Sequence, residues 1–200
     1  DVATPEQYIP DACITDEKGK PTLWEGCQTL SGSWGYHRDE STWKSGPMLV
    51  RMLIEHVSKG GNLLLNVGPT ARGELDHRAL NSLRQIAQWM RVHSRSIYGC
   101  TYAPDGLQAP NDCRYTYNPK TKRLYLHIFA WPFGHIQLQG MAGRVAYAQL
   151  LDDASEIRFR ESSDNVHTAL NASTPDGALT LTLPVVQPPH DVPVIELILK

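Results

Sequence analysis

The sequence predicts an α/β unit with a parallel sheet followed by an all-β antiparallel sandwich, within one chain of 200 residues. Two helix-spaced apolar stripes flank a short, continuous apolar run in the first half. In the second half the apolar spacing becomes two. Between them, residues 101–114 hold Pro104, Gly106, Pro110 and Asn111, the composition of a loop or junction. Residues 1–97 and 98–200 are therefore expected to form separate domains.

Taken in order, Leu23 to Leu30 is a mixed apolar run and a candidate strand, ended by the loop composition Ser31-Gly32-Ser33. Ser45 is placed to cap a helix with Pro47 in its first turn. Met48, Leu49, Met52, Leu53, His56 and Val57 form that helix's stripe, and Lys59-Gly60-Gly61 stops it. The run Asn62-Leu63-Leu64-Leu65-Asn66-Val67, ended by Gly68-Pro69, reads as a strand buried on both faces. Asp76 caps a second helix whose stripe is Leu80, Leu83, Ile86, Ala87 and Met90. Beyond the junction, Leu124, Leu126 and Ile128 alternate with Tyr125, His127 and Phe129, and Leu179, Leu181 and Leu183 alternate with threonines. Short runs near 135–139, 144–151, 156–161 and 193–199, separated by turns, supply the other strands of a sandwich.

Bulk properties exclude several function classes. Apolar residues make up 41% of the chain and charged residues 20%, with a net charge of −2. No basic stripe exists to meet a phosphate backbone, so nucleic acid is not an expected partner. No run approaches a membrane span. The chain opens on Asp1-Val2-Ala3-Thr4-Pro5, without an initiator Met or a positively charged leader, and is expected to be processed or cut from something longer. Cys13, Cys27, Cys100 and Cys113 form no C-x-x-C pair, so no metal and no cofactor is expected; Cys100 and Cys113 are spaced to pair across a loop. One sequon is present, Asn171-Ala172-Ser173.

Two motifs fail on chemistry. Gly68-Pro69-Thr70-Ala71-Arg72-Gly73 is followed by Glu74 and Leu75, not by the Lys and Ser/Thr that a phosphate loop needs. Ser31-Gly32-Ser33-Trp34-Gly35 lacks the first glycine, the buried strand before and the helix directly after that a nucleophile elbow requires.

A third constellation is more informative. Trp24-Glu25-Gly26-Cys27 precedes the aromatic loop Ser33-Trp34-Gly35-Tyr36-His37-Arg38. Aromatic faces stack on the apolar face of a pyranose, and apolar neighbours favour the neutral form of a carboxylic acid. A surface glutamate beside core tryptophans is the plain alternative.

Trp24-Glu25-Gly26-Cys27, Ser33-Trp34-Gly35-Tyr36 and the run from Val57-Ser58-Lys59-Gly60-Gly61-Asn62 through Leu63-Leu64-Leu65-Asn66-Val67-Gly68-Pro69-Thr70 resemble glycoside hydrolase family 29 α-L-fucosidases. Thr4-Pro5-Glu6, Ser96-Ile97-Tyr98-Gly99 and Pro193-Val194-Ile195-Glu196-Leu197 extend the resemblance over nearly the whole chain. It implies the last third of a (β/α)8 barrel followed by a C-terminal β-sandwich. It also implies retaining removal of terminal α-L-fucose from a fucosylated glycan or oligosaccharide, through two carboxylates. Glu25 would then be the general acid/base, with Trp34, Tyr36 and Asn66 contacting substrate. The nucleophilic Asp belongs to an earlier barrel strand; Asp11, Asp16 and Asp39 lie in loops and fit no such strand. The N-terminal part of the barrel is thus an expected partner, from the same precursor or another chain. The resemblance favours a secreted, periplasmic or lysosome-like compartment. A sugar-binding module using Tyr115, Tyr117, Trp131 and Phe133, or a subunit that completes a barrel without catalysing, are the competing readings.

Overall fold

The computed structural model describes residues 2–104, 106–161 and 177–200. The chain divides into two compact units, Asp1–Tyr102 and Ala103–Lys200.

The first unit is built on two parallel strands, β1 (Glu25–Thr29) and β2 (Asn62–Asn66), paired in register from Glu25↔Asn62 to Thr29↔Asn66. They are joined by the helix α1 (Gly46–Val57) and followed by α2 (His77–His93) and a 3₁₀ turn at 94–96. Residues 3–7 add an irregular third rung-set on the far side of β1, through the parallel bridges Ala3↔Trp24 and Glu6↔Cys27. Cys27 N donates to Pro5 O at 2.9 Å and Gln7 N to Cys27 O at 3.0 Å.

The caps form where the sequence places them. Ser45 accepts from Met48 N, Asp76 accepts from Arg78 N, and α1 ends before Gly60 in the left-handed region at φ +78°. The stripes hold in part, with Met52, Leu83 and Ile86 packed against the core, but the buried side extends beyond them. On α1 the buried side is Leu49, Val50, Ile54, His56 and Val57, while Met48 is exposed. On α2 it is Ala79, Ser82, Trp89 and His93, with Leu80 half-buried and Ala87 exposed. The reason is polar: Ser82 Oγ donates to Lys44 O and Gln85 accepts from Gly46 N, so this side of α2 completes the backbone bonding at the start of α1. Hydrophobicity alone does not register such a face.

The expectation that β2 is buried on both faces is also corrected. Leu65 and Val67 pack against the core of Leu30, Leu49 and Ala79, but Leu64, on the opposite face, is 50% exposed. Alternation along a strand sends only every second side chain to the helices, and Leu64 stays open on the other face.

The second unit holds two antiparallel sheets, ordered β3-β4-β9-β6 and β5-β8-β7. The strands are β3 (Cys113–Asn118), β4 (Arg123–Ile128), β5 (His135–Leu138), β6 (Val145–Leu150), β7 (Phe159–Glu161), β8 (Leu179–Thr182) and β9 (Val194–Leu199). Inward residues of both sheets share one core, including Tyr115, Leu124, Leu126, Leu138, Leu179 and Ile195, which is a β-sandwich arrangement. Tyr115 is therefore a core residue, Tyr117 and Trp131 pack against that core, and Phe133 stands exposed. None of the four cysteines is in a disulfide, so the Cys100–Cys113 pairing does not form. Among the described residues no helix is long and apolar enough to cross a membrane. The sequon at Asn171 lies outside the described residues.

Candidate functional site

The register of β1 on β2 sorts the side chains of the parallel sheet. Cα partners share a face, so Glu25, Cys27 and Thr29 lie with Asn62, Leu64 and Asn66 on the open face. Trp24, Gly26 and Gln28 point to the helix side. The bridge Glu6↔Cys27 puts Glu6 on the open face too.

Trp24 is fully buried, tilted against the His56 ring at 5.4 Å, with Nε1 donating to Lys59 O. It therefore cannot supply the apolar surround expected for Glu25, because successive strand residues face opposite ways. His56 closes this contact: its Nδ1 bonds Met52 O at 2.7 Å, and burial pushes its pKa down. Gly26 must be glycine, since a Cβ there would stand 2.2 Å from His56 Nε2.

The aromatic loop sits past the C-terminal end of the sheet. Lys44 N donates to Leu30 O, and Lys44 Nζ to Thr29 O at 2.7 Å, so the loop 31–44 leaves β1 and returns to it. Burial lowers the Lys44 pKa, partly offset by the Glu40 charge. Trp34 and Tyr36 are 42% and 37% exposed. Asn66, ending β2, donates Nδ2–H to Trp34 O at 2.6 Å. Two residues on, the Gly68 backbone lies so near the loop that a Cβ would be 2.6 Å from Tyr36 N and 2.7 Å from Gly35 C. Trp34, Tyr36 and Asn66 are thus brought together.

Glu25 is not with them. It opens β1, roughly 13 Å along the strand from Thr29 at the usual rise. Glu6 stands one row nearer the aromatic end: it is exposed, pairs with Cys27, and its segment ends at once in Gln7 with φ +60°. Thr4-Pro5-Glu6 enters the sequence reading only as part of the resemblance. The signal that would have found Glu6 is the X-Pro dipeptide, which holds Thr4 extended and so marks a strand that ends on a carboxylate.

The comparisons agree with this architecture. The alpha-L-fucosidase family profile matches residues 1–95. Plasma alpha-L-fucosidase of Homo sapiens is 38% identical over 116 residues, covering 56% of this chain and 25% of that protein. Among solved structures, alpha-L-fucosidase isoenzyme 1 from Paenibacillus thiaminolyticus is similar over all of this chain, with TM-score 0.88 and 42% identity. The alpha-L-fucosidase from Vibrio sp. strain EJY3 covers 98% of the chain with TM-score 0.80 and 29% identity. The chain spans 45% of the Paenibacillus protein and 32% of the Vibrio one. Family profile, sequence relatives and fold neighbours converge: the chain is similar to the C-terminal portion of alpha-L-fucosidases.

Proposed function

We propose that the protein containing this chain is a retaining exo-α-L-fucosidase acting on fucosylated glycans or oligosaccharides. The first unit is the last third of its (β/α)8 barrel, about residues 1–97, and residues 98–200 form the C-terminal sandwich. One observation carries the reading: a parallel sheet whose open face bears two carboxylates and whose C-terminal end is rimmed by Trp34, Tyr36 and Asn66. Parallel sheets bind ligands beyond the carboxyl ends of their strands.

In the mechanism, an Asp from a preceding strand, contributed from outside this chain, attacks the anomeric carbon. A carboxylic acid here gives its proton to the departing glycosidic oxygen. After the fucosyl ester forms, the same carboxylate takes a proton from water as that water attacks the anomeric carbon and releases fucose. Glu25 is the residue to which the Trp-Glu-x-Cys resemblance gives this role. Position favours Glu6, because it projects from the open face at the end of its strand, nearer the aromatic rim. Glu25 at the strand's start suits the interior packing of the barrel. Trp34 and Tyr36 offer stacking surfaces to the sugar units, and Asn66 serves them by holding the Trp34 carbonyl.

The full-length protein with Glu6→Gln, and separately Glu25→Gln, assayed on an aryl α-L-fucoside with a poor leaving group, tests both levels. Loss of the proton donor should cost about 10²- to 10⁴-fold in turnover. We expect that loss for Glu6→Gln; finding it only for Glu25→Gln returns the role to Glu25. Absence of fucoside turnover in the unaltered full-length protein sinks the hydrolase reading. The 200-residue chain alone, lacking the nucleophile, is expected to turn over nothing.

A further inference from the structure

Glu6 stands on a segment that is bonded to β1 with a gap. Ala3 N donates to Leu23 O and Gln7 N to Cys27 O, and the place between them belongs to Pro5, which has no N–H to give. The segment therefore meets β1 through the separate bridges Ala3↔Trp24 and Glu6↔Cys27, and forms no continuous strand. Glu6 is held on both sides by one residue: Cys27 N donates to Pro5 O at 2.9 Å, and Cys27 O accepts from Gln7 N at 3.0 Å.

Immediately past Glu6 the chain turns away. Gln7 has φ +60°, the left-handed region that a Cβ disfavours. Such a conformation persists where the surroundings over-determine it. Two neighbouring β1 side chains, which alternation sends to opposite faces, do so. Gln28, on the helix side and 4% exposed, donates Nε2–H to Tyr8 O at 3.1 Å. Thr29, on the open face, accepts from Gln7 Nε2 at 3.3 Å. The bond from Gln28 is the stronger constraint, because its donor is buried and moving the turn away would strip it of Tyr8 O.

We propose that Gln28 is a positioning residue for proton transfer, locking the left-handed turn at Gln7 so that the Glu6 carboxyl is held in one place. The assignment rests on the reading of Glu6 as the proton donor. Gln28 points to the helices, so it acts on the reaction through the backbone of residues 6–8. A general acid works only within hydrogen-bond reach of the oxygen it protonates. Loosening the turn should thus fall on proton transfer, and most on fucosides whose leaving group needs the proton.

Full-length Gln28→Met, which keeps the bulk and removes the donor, is compared with Glu6→Gln on two substrates. One is a dinitrophenyl α-L-fucoside, whose phenolate departs without a proton; the other is a methyl α-L-fucoside, whose alkoxide does not. For Gln28→Met, kcat/KM on the methyl fucoside should fall about tenfold more than on the dinitrophenyl fucoside. Glu6→Gln should show the same dependence, and more steeply. Gln7→Gly, which accepts the left-handed turn but gives up the Thr29 bond, should shift the ratio in the same sense, and it carries the comparison should Gln28→Met not fold. Equal losses on both fucosides, or none, beside a leaving-group-dependent loss in Glu6→Gln, overturn the positioning role and leave Glu6 as the donor. Glu6→Gln without that dependence overturns Glu6 as the donor, and the role of Gln28 falls with it.

Discussion

Gly26 shows how a single absent methyl can decide local architecture. Its Cα faces the His56 ring, which is wedged between β1 and Trp24. Gly26→Ala drives a Cβ into the imidazole and should cost about 1–3 kcal/mol, the usual penalty for overpacking, as measured by urea unfolding. His56 itself makes stability depend on pH. Burial lowers its pKa from the ordinary 6.5, so the unfolded chain binds a proton that the folded chain resists. The contribution is complete above pH 6.5 and is lost as pH falls below it. Unfolding midpoints measured at pH 7.5 and 5.5 should differ, and His56→Leu should shrink that difference.

At the scale of elements, the edge of β2 is the informative one. Asn62 N donates to Trp24 O and Leu30 N to Asn66 O, so by alternation Leu64 and Asn66 direct their amides at β1. Leu63 and Leu65 turn theirs to an edge that pairs with no strand among the described residues. In the 200-residue chain, amide exchange should therefore alternate along β2, fast at Leu63 and Leu65 and slow at Leu64 and Asn66. In the full-length protein, where a further strand is expected, the alternation should vanish. Uniform exchange in both would argue against a continuing sheet.

For the whole molecule, one hydrophobic core among the described residues lies around Leu30, Leu49 and Ala79 and another runs from Cys113 to Leu197. Residues 103–200 expressed alone should unfold cooperatively. Two separate transitions in the 200-residue chain would mean that the units unfold independently. A single shared transition would mean that the units fold as one.

Much of this was legible in the residues. The caps Ser45 and Asp76, the stop at Gly60 and the period-two strands follow from local chemistry, which tertiary packing seldom overrides. The helix stripes are legible in part: Leu49, Met52, His56, Val57, Leu83 and Ile86 do face the core, whereas Ser82 and Gln85 are polar yet face inward, held there by backbone partners that lie far off in sequence. The candidate site was half legible. Trp34, Tyr36 and Asn66 announce themselves by type and order, and they do cluster. Glu25 also draws attention by its neighbours, and the run Leu23 to Leu30 already puts it near the start of its strand; which segment flanks that strand is a property of register. Only the bridge from Glu6 to Cys27 exposes the alternative.

The clasp between Leu30 and Lys44 has an evolutionary consequence. Because the chain departs from β1 and comes back to it at that point, the segment between is a pendant ring whose length and composition can drift without disturbing strand alignment. Insertions and deletions in this ring should therefore leave the β1–β2 register intact, and an engineer grafting another ring onto the clasp should inherit the scaffold.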